Sequence, residues 1–154
     1  MPRRSILSVA ERASLLALPD TEDELIRLYT FSEADLSLIR QRRGDANRLG
    51  VGVQLCLLRF PGQGLLPDAT VPVSLLQWIG RQLRTDPACW PLYAERDETR
   101  REHLLELRAY LGMVPFGLAH YRQAVKATTE LALQTDKGIV LAASVLDALR
   151  HRHI

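Results

Sequence analysis

Residues 46–60 read ANRLGVGVQLCLLRF. Leu49, Val53, Cys56, Leu57 and Phe60 recur at intervals of three and four, so one face of a helix is apolar and is predicted to be buried. Gly44-Asp45 breaks the preceding segment and Pro61-Gly62 closes the far end, which bounds the helix on both sides. A helix of this kind needs other helices to cover it, and the flanking sequence supplies them.

Upstream, helix starts come in series. Ser8 with Glu11 forms a capping box ahead of an apolar-periodic stretch to Leu18, which Pro19-Asp20 ends. Thr21 with Glu24 opens a second helix through about Tyr29, and Ser32 with Asp35 a third, with Leu36 and Ile39 on one side and Arg40 on the other. Downstream, Pro61 to Pro72 holds two Gly and three Pro and reads as the longest loop, the expected boundary between two lobes, 1–62 and 63–154. Helices follow over about Val73–Leu83, Glu95–Leu111, Gly117–Gln134 and Lys137–Arg152, with an aromatic-rich single turn around Cys89, Trp90, Leu92 and Tyr93. No period-two strand and no internal repeat emerges. The expected fold class is all-α: a compact bundle of about eight short helices, including helix-turn-helix-like units, with the second lobe possibly packed as one domain with the first.

The chain of 154 residues is long enough to bury a core without a metal or a disulfide. No apolar run approaches the ~20 residues of a membrane span, and no apolar signal core follows the basic start, so a cytoplasmic protein with no membrane partner is expected. Cys56 and Cys89 lack ligand spacing and read as buried reduced thiols. No phosphate-binding loop, dinucleotide fingerprint or nucleophile elbow is present, and His103, His120, His151 and His153 do not fall at metal-ligand spacing. The acids fall in capping boxes and on exposed faces. The expectation is therefore no catalytic residue, no metal and no cofactor: not an enzyme in itself.

Net charge is only +2, but its distribution is uneven. Residues 8–37 carry seven acids against Arg12 and Arg27, while residues 38–62 carry Arg40, Arg42, Arg43, Arg48 and Arg59 against Asp45. Of 20 basic residues only Lys126 and Lys137 are lysine. Arginine suits bidentate contact to phosphate and guanine, although GC-rich coding produces the same bias. Two segments read as helix-turn-helix candidates. In Ser32–Phe60, Arg40, Arg42 and Arg43 close one helix while Asn47 and Arg48 open the next, an arrangement suited to gripping phosphates; equally, cations at a helix C-terminus complement its dipole. In 104–126, Gly112 is the turn, Leu107, Leu111, Met113, Leu118 and Tyr121 are expected to pack the two helices together, and the free face of the second offers His120, Gln123 and Lys126 with Arg122 alongside for reading bases. A plain helical hairpin explains the same pattern, and Arg108 stands where such motifs keep a small residue. Arg3 and Arg4 read as a short basic arm over DNA or as a solubilising terminus. Trp78, Trp90, Tyr29, Phe60 and Tyr110 read as core anchors.

Several blocks also resemble a known family. Pro2-Arg3-Arg4-Ser5-Ile6-Leu7-Ser8, Leu15-Leu16-Ala17-Leu18-Pro19-Asp20, Ile39-Arg40-Gln41-Arg42-Arg43-Gly44, Asn47-Arg48-Leu49-Gly50, Gln54-Leu55-Cys56 and Leu58-Arg59-Phe60-Pro61-Gly62 are similar to the opening of transposases of the Tn-three family. Thr99-Arg100-Arg101-Glu102-His103-Leu104, His120-Tyr121-Arg122-Gln123-Ala124 and Gln134-Thr135-Asp136-Lys137-Gly138-Ile139-Val140-Leu141 continue the resemblance in collinear order, while Gln63 to Ala94 match least well. The resemblance implies the N-terminal DNA-binding region of a longer protein that recognises the terminal inverted repeats of its transposon and forms cointegrates. It places the metal-dependent carboxylate catalysis in a domain beyond this sequence, and it implies duplex DNA, the remainder of the transposase and, in the full-length protein, a second copy as partners. The residues expected to touch DNA (Arg3, Arg4, Arg40, Arg42, Arg43, Asn47, Arg48, His120, Arg122, Gln123 and Lys126) rest on the residue patterns alone. A protein-interaction module for transposase assembly, without sequence-specific reading, is the competing expectation, and a shortened remnant that blocks the repeats is a third.

Overall fold

A computed structural model describes residues 5–66 and 69–154. Among them lie nine α-helices and one short 3-10 turn, with no strand, in keeping with the all-α expectation. The helices are α1 (Val9–Leu15), α2 (Glu22–Tyr29), α3 (Glu33–Arg40), α4 (Asp45–Arg59), α5 (Val73–Leu83), α6 (Trp90–Ala94), α7 (Asp97–Tyr110), α8 (Leu118–Ala132) and α9 (Gly138–His151); the 3-10 turn Pro87–Cys89 leads into α6. All three capping boxes form as their sequences predict: Ser8, Thr21 and Ser32 each accept from the backbone N–H three residues on, and Glu11, Glu24 and Asp35 reach back.

The chain divides into two compact units, one made of Met1–Ala17 with Gly112–Ile154 and the other of Leu18–Leu111. The loop at 61–72, where the sequence places a lobe boundary, lies within the larger unit, and α4 packs against α5, α6 and α7 beyond it.

The larger unit is built around α4. The periodicity of ANRLGVGVQLCLLRF marks one apolar face, yet Leu49 through Leu58 are all buried, because α2, α3, α5, α6 and α7 surround the helix. A helix apolar all round belongs in a core, and the intervening Val51, Leu55 and Leu58 place this one there. Gly50 is what lets α6 approach: a Cβ on it would collide with the Tyr93 ring, itself wholly buried. Ile39, Leu75, Ile79 and Leu107 complete the packing from α3, α5 and α7.

The polar groups drawn into this core are satisfied across elements. Gln54 Nε2 donates to the Tyr93 hydroxyl at 2.5 Å and to the Arg100 carbonyl at 3.0 Å. The Tyr93 hydroxyl, accepting from Gln54, donates to His103 Nδ1 at 3.1 Å, and the two rings stack. Burial, aided by Arg42 nearby, lowers the His103 pKa and keeps the ring neutral in that role. Burial also raises the Tyr93 hydroxyl, to about 12. The last turn of α2 is closed by α5, where Trp78 Nε1 and Gln82 Nε2 both donate to the Tyr29 carbonyl at 3.1 and 2.8 Å. Trp78 is thus half-buried and anchored, whereas Tyr110, read from sequence as a core anchor, is 40% exposed; its hydroxyl donates to the Asp35 carboxylate at 2.8 Å.

Asp35 ties three helices together. It closes the α3 capping box, receives Arg59 of α4 in a bidentate pair at 2.6 and 2.8 Å, and accepts from Tyr110 of α7. Burial alone would raise this carboxyl, but the hydrogen bonds from Arg59, the Ser32 backbone and Tyr110 outweigh it and hold the pKa far below the usual range.

The smaller unit is thinner. Helices α8 and α9 pack together and α1 lies on α9, with Arg150 Nη2 donating to the Leu15 carbonyl at 3.3 Å and the Val114 N–H to the His153 carbonyl at 2.7 Å. None of its three helices contains a buried residue. Both cysteines are free, Cys56 buried and Cys89 half-buried, and burial raises both thiols.

A folded-state pKa held low contributes stability above the unfolded value, near 3.9, and loses it as the pH falls through that value toward the folded one. Arg59→Ala should cost about 3 kcal/mol near neutral pH by stranding the Asp35 carboxylate, and the penalty should shrink below about pH 4 as Asp35 protonates. Urea denaturation of both chains across pH 3–7 measures this; a penalty independent of pH would remove the pair from the account.

Candidate nucleic-acid interface

The two helix pairs singled out by sequence fare differently. Helices α3 and α4 pack as a hairpin across the 41–44 turn. Of the second pair, α7 belongs to the larger unit and α8 to the smaller, where α8 packs on α9. Leu107 is buried within the larger unit, whereas Leu118 and Tyr121, expected to pack against the first helix, are 64% and 57% exposed. Ala124, Thr128 and Leu131 of α8 face the groove that it forms with α9.

In the α3–α4 hairpin the basic residues separate into two kinds. Arg40, at the last position of α3, and Arg43, in the turn, are exposed and in no ion pair among those described. Arg48 folds back over the turn: its Nε donates to the Arg42 carbonyl at 3.0 Å and its Nη2 to the Arg40 carbonyl at 3.5 Å, so it caps the carbonyl end of α3, while its Nη1 lies 3.9 Å from the Asp45 carboxylate. Asn47 Nδ2 donates to the Arg43 carbonyl at 2.9 Å and fixes the other side of the turn. Gly44 makes the reversal itself at φ 82°, a left-handed angle that favours glycine. Arg42 leaves the surface and pairs with Glu106 of α7. Four of the residues expected to hold phosphates are therefore gathered at one turn with Asn47, but only Arg40 and Arg43 are unengaged there. Only the first turn of α4, Asp45 to Arg48, and Arg59 at its end are not buried.

On α8, Arg122 and Lys126 are exposed, on the side that also carries Tyr121 and Val125. His120 and Gln123 make hydrogen bonds within the smaller unit. His120 Nδ1 accepts the Gly117 N–H at 2.9 Å, capping the helix, and Gln123 Oε1 accepts from Arg152 beyond α9. Both line the groove between α8 and α9, a cavity of about 110 Å³ walled by Ala124, Leu131, Leu141 and Val145. Arg3 and Arg4 lie outside the described residues. Sequence reasoning missed Glu106 and Tyr110, which lie 64 and 75 residues from Arg42 and Asp35; no local pattern carries such distant pairings. Among the described residues no three His, Cys, Asp or Glu side chains gather as a metal site requires, and no helix is long and apolar enough to cross a membrane.

Comparison with known proteins gives the family of the chain. Residues 6–154 match a family described as a domain of unknown function, DUF4158, and the chain belongs to that family. It is 59% identical over 152 residues to the transposase for transposon Tn501 of Pseudomonas aeruginosa, covering 99% of this chain and 15% of that protein. It is 60% and 57% identical over 154 residues to the transposases for transposons Tn3926 and Tn21 of Escherichia coli, covering the whole chain and 16% of each. The Tn-three family resemblance read from the sequence blocks holds along the whole chain. The chain spans about one-sixth of the length of these relatives.

If Arg48 is a cap rather than a surface cation, Arg48→Ala should lower stability by about 1 kcal/mol, the usual worth of a hydrogen-bonded cap, while Arg43→Ala should stay within about 0.5 kcal/mol of the parent chain. Equal urea midpoints for the two variants would put Arg48 back on the surface.

Proposed function

We propose that this chain is a DNA-holding part of a Tn-three family transposase and that it engages the transposon's terminal inverted repeats as duplex DNA. The observation that carries the reading is the turn at 40–43. Two exposed arginines without acidic partners stand on a backbone that Arg48, Asn47 and Gly44 hold in shape, within a chain similar from end to end to proteins named as transposases. A preorganised pair of guanidinium groups gains phosphate contacts at little ordering cost. Arg40 and Arg43 grip phosphates, and the exposed side of α8, with Arg122 and Lys126, is the surface that meets a groove. The smaller unit's sequence supports this second contact, with eight Lys and Arg against four Asp and Glu. Arg3 and Arg4 belong to that count and extend the contact as a basic arm. In this reading the chain positions DNA, and the metal-dependent catalysis that the family resemblance implies is left to the rest of the transposase.

One observation favours a second reading, a module for assembling the transposase with the rest of its chain or with a second copy. The smaller unit leaves Phe116, Leu118, Tyr121 and Val125 exposed, and apolar side chains gathered on one helix and its approach are a common protein-contact surface.

Fluorescence anisotropy on a labelled terminal-repeat duplex and a scrambled duplex, across a salt series, separates the two. The expected result is tighter binding to the repeat, steep salt dependence, and a slope lowered by about one in Arg40→Ala and in Arg43→Ala alike. No binding to either duplex at low salt would reject DNA holding and favour assembly.

A further inference from the structure

The pairing of Arg42 has a use beyond packing. Its guanidinium meets the Glu106 carboxylate of α7, and it stands next in sequence to the exposed Arg43. The two partners are unequally held. The Arg42 side chain is 21% exposed, and its Nε is buried with no hydrogen-bond partner; Glu106 is 51% exposed. Glu106 therefore keeps much of its hydration and is cheap to detach, while Arg42 sits with one donor unmet, a position a guanidinium leaves readily for water or a phosphate. The Glu106 carboxylate oxygen on the Arg42 guanidinium stands where a phosphate oxygen of the same charge could stand.

We infer that Glu106 is an internal phosphate mimic: it occupies Arg42 while the chain is free of DNA and yields it to a backbone phosphate on binding, adding a third arginine to the pair at the turn. The inference rests on the DNA-holding reading above and deepens it. No covalent step is involved; one ion pair is exchanged for another, and the released carboxylate returns to water. The exchange makes each encounter with DNA give up the Arg42–Glu106 pair first, which lowers affinity for duplex in general and leaves the full grip to complexes that bring a phosphate to Arg42. Glu106 is thus a determinant of how strongly the chain holds non-specific DNA.

The test is a double-mutant cycle on the whole chain, reading anisotropy on a scrambled duplex across salt, with thermal melting to establish that each variant is folded. Glu106→Gln removes the charge and keeps the shape. In the parent background it should tighten binding several-fold at low salt and steepen the salt slope by up to about one. In an Arg42→Ala background the same change should do almost nothing, because no arginine remains to be released. A gain of equal size in both backgrounds would overturn the inference, since it would show plain repulsion between Glu106 and DNA. Absence of any gain in the parent background, while Arg43→Ala still weakens binding, would overturn it too and leave the DNA-holding reading standing. If neither the parent nor Glu106→Gln binds duplex at any salt, both fall together.

Discussion

Helix α4 has no face left for water between Leu49 and Leu58, and that constraint shapes the larger unit. Ten successive buried residues demand neighbours on every side, which α2, α3, α5, α6 and α7 provide. Burial of this kind forces each polar group on the helix to find a partner inside the protein, and Gln54 does so through Tyr93 and the Arg100 carbonyl. At the C-terminal end Arg59 is exposed enough to reach water but is drawn to Asp35, so the one buried carboxylate of α3 is bound to the end of the central helix. The α3–α4 hairpin is consequently fixed at its base by this pair and at its tip by Arg48 and Asn47. A surface turn fixed at both ends can present arginines without first paying to order itself.

The same constraint sorts the arginines. A basic cluster read along the chain looks like a single patch, but a side chain next to a buried helix has structural work available to it, and Arg48, Arg59 and Arg42 each take some. What remains for a ligand is smaller and better defined: Arg40 and Arg43 at the turn. The smaller unit differs in kind. Its helices bury nothing fully, and apolar and basic side chains are exposed together on α8.

Much of the fold was legible because its signals are local. Capping boxes at Ser8, Thr21 and Ser32, the break at Gly44 and the start of the helix near Gly117 depend on contacts within a few residues, and each lies where the sequence puts it. The end of α1 was overestimated by about one turn, since Leu16 to Leu18 continue the apolar pattern without continuing the helix. The extent of α4 burial was underestimated, because a three-and-four periodicity counts the residues on one face and is silent about Val51, Leu55 and Leu58 on the others. The site was less legible than the fold. Spacing could gather Arg40, Arg42, Arg43, Asn47 and Arg48 at one turn, but which of them point outward depends on Glu106 and on two backbone carbonyls, neither of which leaves a mark in sequence order.

The central claim is that α4, buried from Leu49 to Leu58, acts as a fixed base while the 40–43 turn and the open side of α8 meet DNA. Amide hydrogen exchange on the chain with and without a terminal-repeat duplex tests it most directly. The account predicts added protection in residues 40–44 and 118–129, with Leu49 to Leu58 already the slowest region and unchanged by DNA. Faster exchange within Leu49 to Leu58 on binding would contradict it, because it would mean that the central helix is released to reach the duplex.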